Sequence, residues 1–171
     1  MKATLEAINQ MQTDGLIGKY AIGGAVGATF YLEPAATVDL DIFVMLPSAG
    51  GLLTLAPVYA YLKAHGGVEQ DEYIVLDGWP VQFLPPGSDL EMEAIEKAVA
   101  TELEGVSTRV MTPEHLAAIA LRIGRAKDHN RVLQFVEQDA IDGRKLQIIL
   151  ARHGLSSKWK QFEQKYLAGN S

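Results

Sequence analysis

Asp39 and Asp41 stand two residues apart in the run Thr37-Val38-Asp39-Leu40-Asp41-Ile42-Phe43-Val44. The alternation there predicts a strand with Val38, Leu40, Ile42 and Val44 on one side and Asp39, Asp41, Phe43 and Met45 on the other. On a strand that spacing puts both carboxylates on one face, with Cα atoms about 7 Å apart. Two carboxylates on a mostly apolar strand repel each other and lose solvation, so they call for a cation or a basic partner. Mg²⁺ or Mn²⁺ is the expected cation, since Mg²⁺ is commonly held by one or two carboxylates together with substrate phosphates. Upstream, Gly23-Gly24 falls where a short strand ends and a helix begins. Glycine lets phosphate oxygens come close to the backbone, and helix N-terminal amides point at anions. A phosphate-binding turn before a carboxylate-bearing strand is the layout of a nucleotide and metal site.

This order of motifs resembles the signature of the nucleotidyltransferase superfamily, with its polymerase-beta-type fold. The resemblance implies that Gly23 and Gly24 cradle a nucleoside triphosphate. It also implies that Asp39 and Asp41 are the catalytic residues, binding the metal that activates the attacking oxygen and steadies the leaving pyrophosphate. Farther on, Thr112-Pro113-Glu114-His115-Leu116, followed by Arg122, Arg125, Lys127-Asp128 and Arg131, is similar to the helical region of the AbiEii-type, toxin-like branch. That similarity implies nucleotide-binding roles for Arg122, Arg125, Lys127 and Asp128, and an antitoxin partner. The function expected is transfer of a nucleoside monophosphate to an acceptor, with RNA, protein and small molecule all open. Gln82 departs from the family pattern, standing where a third carboxylate is expected, and glutamine cannot act as a general base. Ala120 or Leu121 likewise stands near the place of an early helical lysine. The alternative is a protein of the same fold that binds nucleotide or a macromolecule without chemistry.

The elements that must position these residues are a mixed sheet flanked by helices, α/β in character, and then a helical region. The pattern predicts a helix over Ala3–Met11, a strand over Lys19–Ile22, a helix over Ala25–Leu32 and the strand Thr37–Leu46. A helix over Leu53–His65 follows, then a hairpin of Glu72–Leu76 and Trp79–Leu84 about Asp77-Gly78. A helix over Asp89–Leu103 and a last strand over Val106–Met111 complete a core of residues 1–111. Thr112 is an N-cap with Pro113 at the first helical position, and residues 112–171 read as helices packed on that core.

Composition narrows the chemistry further. The 171 residues contain no cysteine, which excludes disulfides, thiolate metal sites and a cysteine nucleophile. The histidines show no zinc-ligand spacing. No basic N-terminal leader and no apolar run of about 20 residues is present, so a cytoplasmic protein without membrane contact is expected. The net charge of −6 is unevenly spread: residues 1–121 carry 5 Lys/Arg against 16 Asp/Glu, and residues 122–171 carry 10 against 5. An acidic part able to hold cations precedes a basic part able to hold phosphates.

Overall fold

Buried alternation decides which strands form the middle of the molecule. The computed structural model describes residues 1–33, 39–48 and 53–168. It begins with helix Lys2–Thr13 (α1), strand Tyr20–Ile22 (β1), the short helix Gly24–Ala28 (α2), strand Leu40–Val44 (β2) and helix Ala56–Ala64 (α3). Strands Val68–Gln70 (β3), Tyr73–Leu76 (β4) and Trp79–Leu84 (β5) follow, then helix Asp89–Glu96 (α4) and strands Val99–Leu103 (β6) and Val106–Val110 (β7). Helices Pro113–Ile123 (α5), Ala126–Glu137 (α6), Gly143–Arg152 (α7) and Ser156–Phe162 (α8) complete the described chain, α8 running into a π-helical turn over Glu163–Leu167. Among the described residues the strands form one sheet in the order β3-β4-β5-β2-β1-β7-β6. β2 runs parallel to β5 and antiparallel to β1, while β1 runs parallel to β7.

The period-2 pattern of β2 sorts its side chains between two cores. Leu40, Ile42 and Val44 pack with Leu5, Ile8 and Met11 of α1 and Val58 and Leu62 of α3. Phe43, from the opposite face, joins Leu90 and Ile95 of α4, the apolar side of α5, and Val132, Phe135 and Leu150 of the later helices. The helical region thus shares a hydrophobic core with the sheet face that carries the aspartates. No helix among the described residues is long and apolar enough to cross a membrane.

Several expected elements change. The helix expected over Asp89–Leu103 stops at Glu96, and Val99–Leu103 is strand β6, paired antiparallel with β7. Glu104 and Gly105 both take positive φ, 51° and 77°, which closes the tight β6–β7 hairpin. Such turns are recognised in sequence by Asn-Gly or Asp-Gly, and Glu-Gly does not announce one. The helix expected to reach Leu32 ends at Ala28, where the Thr29 hydroxyl donates to the Val26 carbonyl (2.7 Å) and satisfies an end group of the last turn. The next helix starts at Ala56, beside Pro57, rather than at Leu53. Strand β3 was not expected; its three residues are all exposed, so no alternation marks them. Of the expected Thr37–Leu46 strand, Thr37 and Val38 lie outside the described residues, and the strand that follows ends at Val44.

Glu93 of α4 joins three helices on the second core. One carboxylate oxygen accepts from Arg152 (2.6 Å) and from His115 Nε2 (3.2 Å), and the other from His153 (2.8 Å). Burial pushes the His115 pKa down, against the pull of Glu93, and its Nδ1 meets the Thr112 hydroxyl at 2.7 Å. We assign the ring proton to Nε2, donating to Glu93. Burial alone would raise the Glu93 carboxyl, but the hydrogen bonds from Arg152, His153 and His115 outweigh it and hold the group at about 2. A depressed acid contributes stability that is complete above its unfolded value, 4.5, and is lost as pH falls toward about 2. Glu93→Gln should therefore cost roughly 2 kcal/mol at pH 7, the scale of hydrogen bonds to a charged group. Denaturant titrations of both proteins should show that gap closing as pH falls from 4.5 toward 2.

Candidate functional site

The pairing of β1 with β2 brings the two glycines against the acidic strand. Ile22 is paired with Ile42, and the Gly23 amide donates to the Asp41 carbonyl (3.0 Å). Asp41 and Phe43, on the same face, fill the volumes that side chains at 24 and 23 would occupy. A Cβ on Gly24 would lie 1.9 Å from Asp41 Oδ2, and one on Gly23 would lie 2.6 Å from Phe43 Cε2. Gly24 also takes a φ of +57°, which L side chains rarely adopt. Both glycines are therefore required by the strand beside them.

On the other side, β5 places Gln82 in register with Asp41. In-register residues of neighbouring strands share a face, so an amide stands in the expected position of a third carboxylate.

The basic wall comes from α6, and its placement begins at α5. The Thr112 hydroxyl accepts the His115 amide (3.4 Å) at the start of α5, and Gly124, at φ 74°, ends the helix in the left-handed conformation. The chain turns there, and Arg125 becomes the N-cap of α6. Asp128, only 1% exposed, accepts from the Arg125 amide (3.2 Å) and from its Nε (2.6 Å). Burial would raise the Asp128 carboxyl, but the Arg125 hydrogen bond and charge, with Arg131 beyond, bring it below its usual value. Lys127 and Arg131, four apart, lie on one helix face.

These pieces enclose a cavity of about 270 Å³. Asp39, Asp41, Gly24 and Gln82 line its acidic and polar side, and Arg125, Lys127, Asp128 and Arg131 its opposite side. Leu84 with Leu116, Ile119 and Ile123 of α5 forms an apolar wall that the sequence did not single out. Burial, then the charge of Asp39, raises the Asp41 carboxyl to about 6, against the pull of Arg131, Lys127 and Arg125. The cations are close enough to act on Asp41, but burial and the charge of Asp39 outweigh them.

Two expected residues lie elsewhere. Arg122, expected at the phosphates, pairs with Glu91 of α4, and its place in the cavity is taken by Arg131, four residues beyond Lys127. Gly23 packs under Phe43 rather than lining the cavity. Asp128 does line it, but its carboxylate is engaged in orienting Arg125.

The donor set fits one divalent cation. Asp39 and Asp41 offer oxygen ligands, and the Asp41 carboxyl, raised first by burial and then by Asp39, would be held ionised by a cation bound there. Among the described residues no group of three or more acidic or imidazole side chains is placed to hold a metal, so further ligands would come from water and substrate phosphates.

A raised acid stabilises the fold at low pH, and that stability is lost as pH rises from 3.8 through about 6. Asp41→Asn should accordingly stabilise the metal-free protein at pH 7 by on the order of 1–2 kcal/mol, allowing for partial exposure. Thermal melts with and without chelator should show the gain and its disappearance below pH 4, while nucleotide and Mg²⁺ no longer stabilise the variant. Gly24→Ala should act oppositely, destabilising by at least about 1–2 kcal/mol through its left-handed backbone alone and displacing the Asp41 carboxylate. The same melts detect both losses.

No family model matches the sequence, and no curated protein matches it significantly. Solved structures do resemble it over nearly its whole length. The crystal structure of an antigenic nucleotidyltransferase-like protein from Paracoccidioides brasiliensis superposes with a TM-score of 0.56 at 16% identity, over 93% of this chain and 91% of that one. The solution structure of the antibiotic-resistance factor ANT(2'')-Ia gives 0.51 at 13% identity, over 96% and 97%. Its crystal structure in complex with adenylyl-2''-tobramycin gives 0.51 at 15%, again over 96% and 97%. The sheet order, the flanking helices and these likenesses together give the chain a nucleotidyltransferase-like fold.

Proposed function

We propose that the protein is a metal-dependent nucleotidyltransferase that holds a nucleoside triphosphate in the Asp39–Asp41 cavity and transfers its nucleoside monophosphate to an acceptor. The observation that carries this reading is that one cavity is lined both by Asp41 of β2 with Asp39 just before that strand and by three cations around α6. A metal-bound triphosphate is complementary to both charge sets. Lys127 and Arg131 would take the β- and γ-phosphates, with Arg125 held in place by Asp128. The apolar wall of Leu84, Ile119 and Ile123 would receive the nucleoside. A divalent cation bound by Asp39 and Asp41 would neutralise charge at the reacting phosphate and at the leaving oxygen. The crystal structure of ANT(2'')-Ia in complex with adenylyl-2''-tobramycin accords with this reading. A toxin role with an antitoxin partner belongs to the proposal on the strength of the resemblance of residues 112–131 to the AbiEii-type branch.

Gln82 favours a second reading, nucleotide binding without transfer, because the amide in register with Asp41 cannot accept a proton. Pyrophosphate release separates the two. Incubation with each nucleoside triphosphate and Mg²⁺, in the presence of cell extract as acceptor source, should release pyrophosphate from the wild type and not from Asp39→Asn. Binding without release at any triphosphate would leave the second reading standing.

Lys127→Ala should weaken triphosphate binding by about tenfold, the scale of a hydrogen bond between charged groups, and leave binding of the bare nucleoside unchanged. Calorimetric titrations of both ligands provide the check, and equal losses would make Lys127 a structural residue.

A further inference from the structure

Gln82 bears on how many cations the site can hold. Its register with Asp41 on the neighbouring parallel strand puts the two Cα atoms about 4.8 Å apart. Both side chains line the cavity together with Asp39, so a carboxylate at position 82 would complete a group of three. No other residue completes it. Asp128, the remaining carboxylate on the cavity wall, accepts from Arg125 through both oxygens, at 2.6 and 3.3 Å. Asp71 lies with Asp39 along an adjoining cavity of about 250 Å³ and does not line the first. Among the described residues no histidine lines the cavity, and no three acidic or imidazole side chains come together. Residues 34–38, 49–52 and 169–171, which lie outside the described structure, contain no aspartate, glutamate, histidine or cysteine.

That donor set decides between one cation and two, on the reading that the cavity takes a metal-bound triphosphate. A single Mg²⁺ or Mn²⁺ is satisfied by one or two carboxylates, phosphate oxygens and water. Paired cations in a two-metal site stand only about 3.5–4 Å apart, and doubly charged ions repel about four times as strongly as single charges at the same distance. Anionic ligands shared between the two ions must offset that repulsion. The amide at position 82 brings a dipole where a carboxylate would bring a full charge. Arg125, Lys127 and Arg131 line the same cavity, and their charge, which reaches Asp41, further opposes a second cation.

We propose that the site holds one divalent cation, carried in by the triphosphate, and that Gln82 is the residue that keeps a second one out. The acceptor oxygen then approaches the α-phosphorus without a cation of its own. Gln82→Glu exchanges an amide for a carboxylate of the same size, and converts the site to one that holds two cations.

The test counts ions and does not depend on turnover. Mn²⁺ is titrated into the protein mixed one-to-one with a non-hydrolysable triphosphate analogue, with free Mn²⁺ followed by its paramagnetic resonance signal and analogue binding by calorimetry. The wild type should bind one Mn²⁺ per analogue-loaded protein, and bind it about tenfold or more weakly without the analogue, since the cation and the triphosphate are coupled ligands. Gln82→Glu should bind two, with the resonance of the bound ions broadened by their mutual coupling. Gln82→Asp takes its place if the longer acid prevents folding. Gln82→Ala should keep one ion, because removing the amide adds no charge. Failure of the wild type to bind the analogue with Mn²⁺ would remove the nucleotide reading itself, and this inference with it. Two coupled ions in the wild type, a single ion in the carboxylate variant, or loss of the ion in Gln82→Ala would each overturn the inference and leave that reading in place.

Discussion

The close approach of one carboxylate to one stretch of backbone organises this molecule. Asp41 lies in the middle of the sheet, between β1 and β5, and its side chain occupies the space where a Cβ on Gly24 would stand. Phe43 makes the same demand on Gly23. The two side chains on β2 and the two glycines after β1 are therefore one packing unit, held in register by the Gly23 amide on the Asp41 carbonyl. The motif is steric before it is chemical: the acidic strand can lie against the turn only if both turn residues lack side chains.

Placing a carboxylate there has an electrostatic cost, visible in the rise of the Asp41 carboxyl to about 6 through burial and the neighbouring Asp39. The rest of the site answers that charge from a distance. Gly124 turns the chain between α5 and α6, Asp128 locks Arg125 at the head of α6, and the four-residue spacing of Lys127 and Arg131 points two further cations across the cavity. Asp128 lines the cavity with its carboxylate, 1% exposed, engaged by the Arg125 guanidinium.

The basic helices must also be held at a fixed distance from the acidic sheet, and α4 does this. Glu93 gathers Arg152 at the end of α7, His153 just beyond it and His115 of α5, and Glu91 takes Arg122 from the end of α5. These pairs bind the helical region to the sheet face along which the cavity opens. They also remove Arg122 from the site, leaving Arg125, Lys127 and Arg131 as its cations.

Period and spacing made much of this legible in advance. The alternation through β2, the Asp77-Gly78 hairpin, the Thr112-Pro113 helix start and the two-residue spacing of Asp39 and Asp41 are local signals, each set by side-chain direction or by turn chemistry within a few residues. Strands β3 and β6 were not legible, because one is wholly exposed and the other follows a helix without a recognisable breaker and turns at Glu-Gly. The partners of each charge were not legible either. Sequence gives which side chains are ionic, whereas the docking of α4 against α5 and α7 decides that Arg122 meets Glu91 while Arg131 faces Asp41. The register of β5 on β2, a contact between segments some forty residues apart that only tertiary pairing fixes, sets Gln82 beside Asp41.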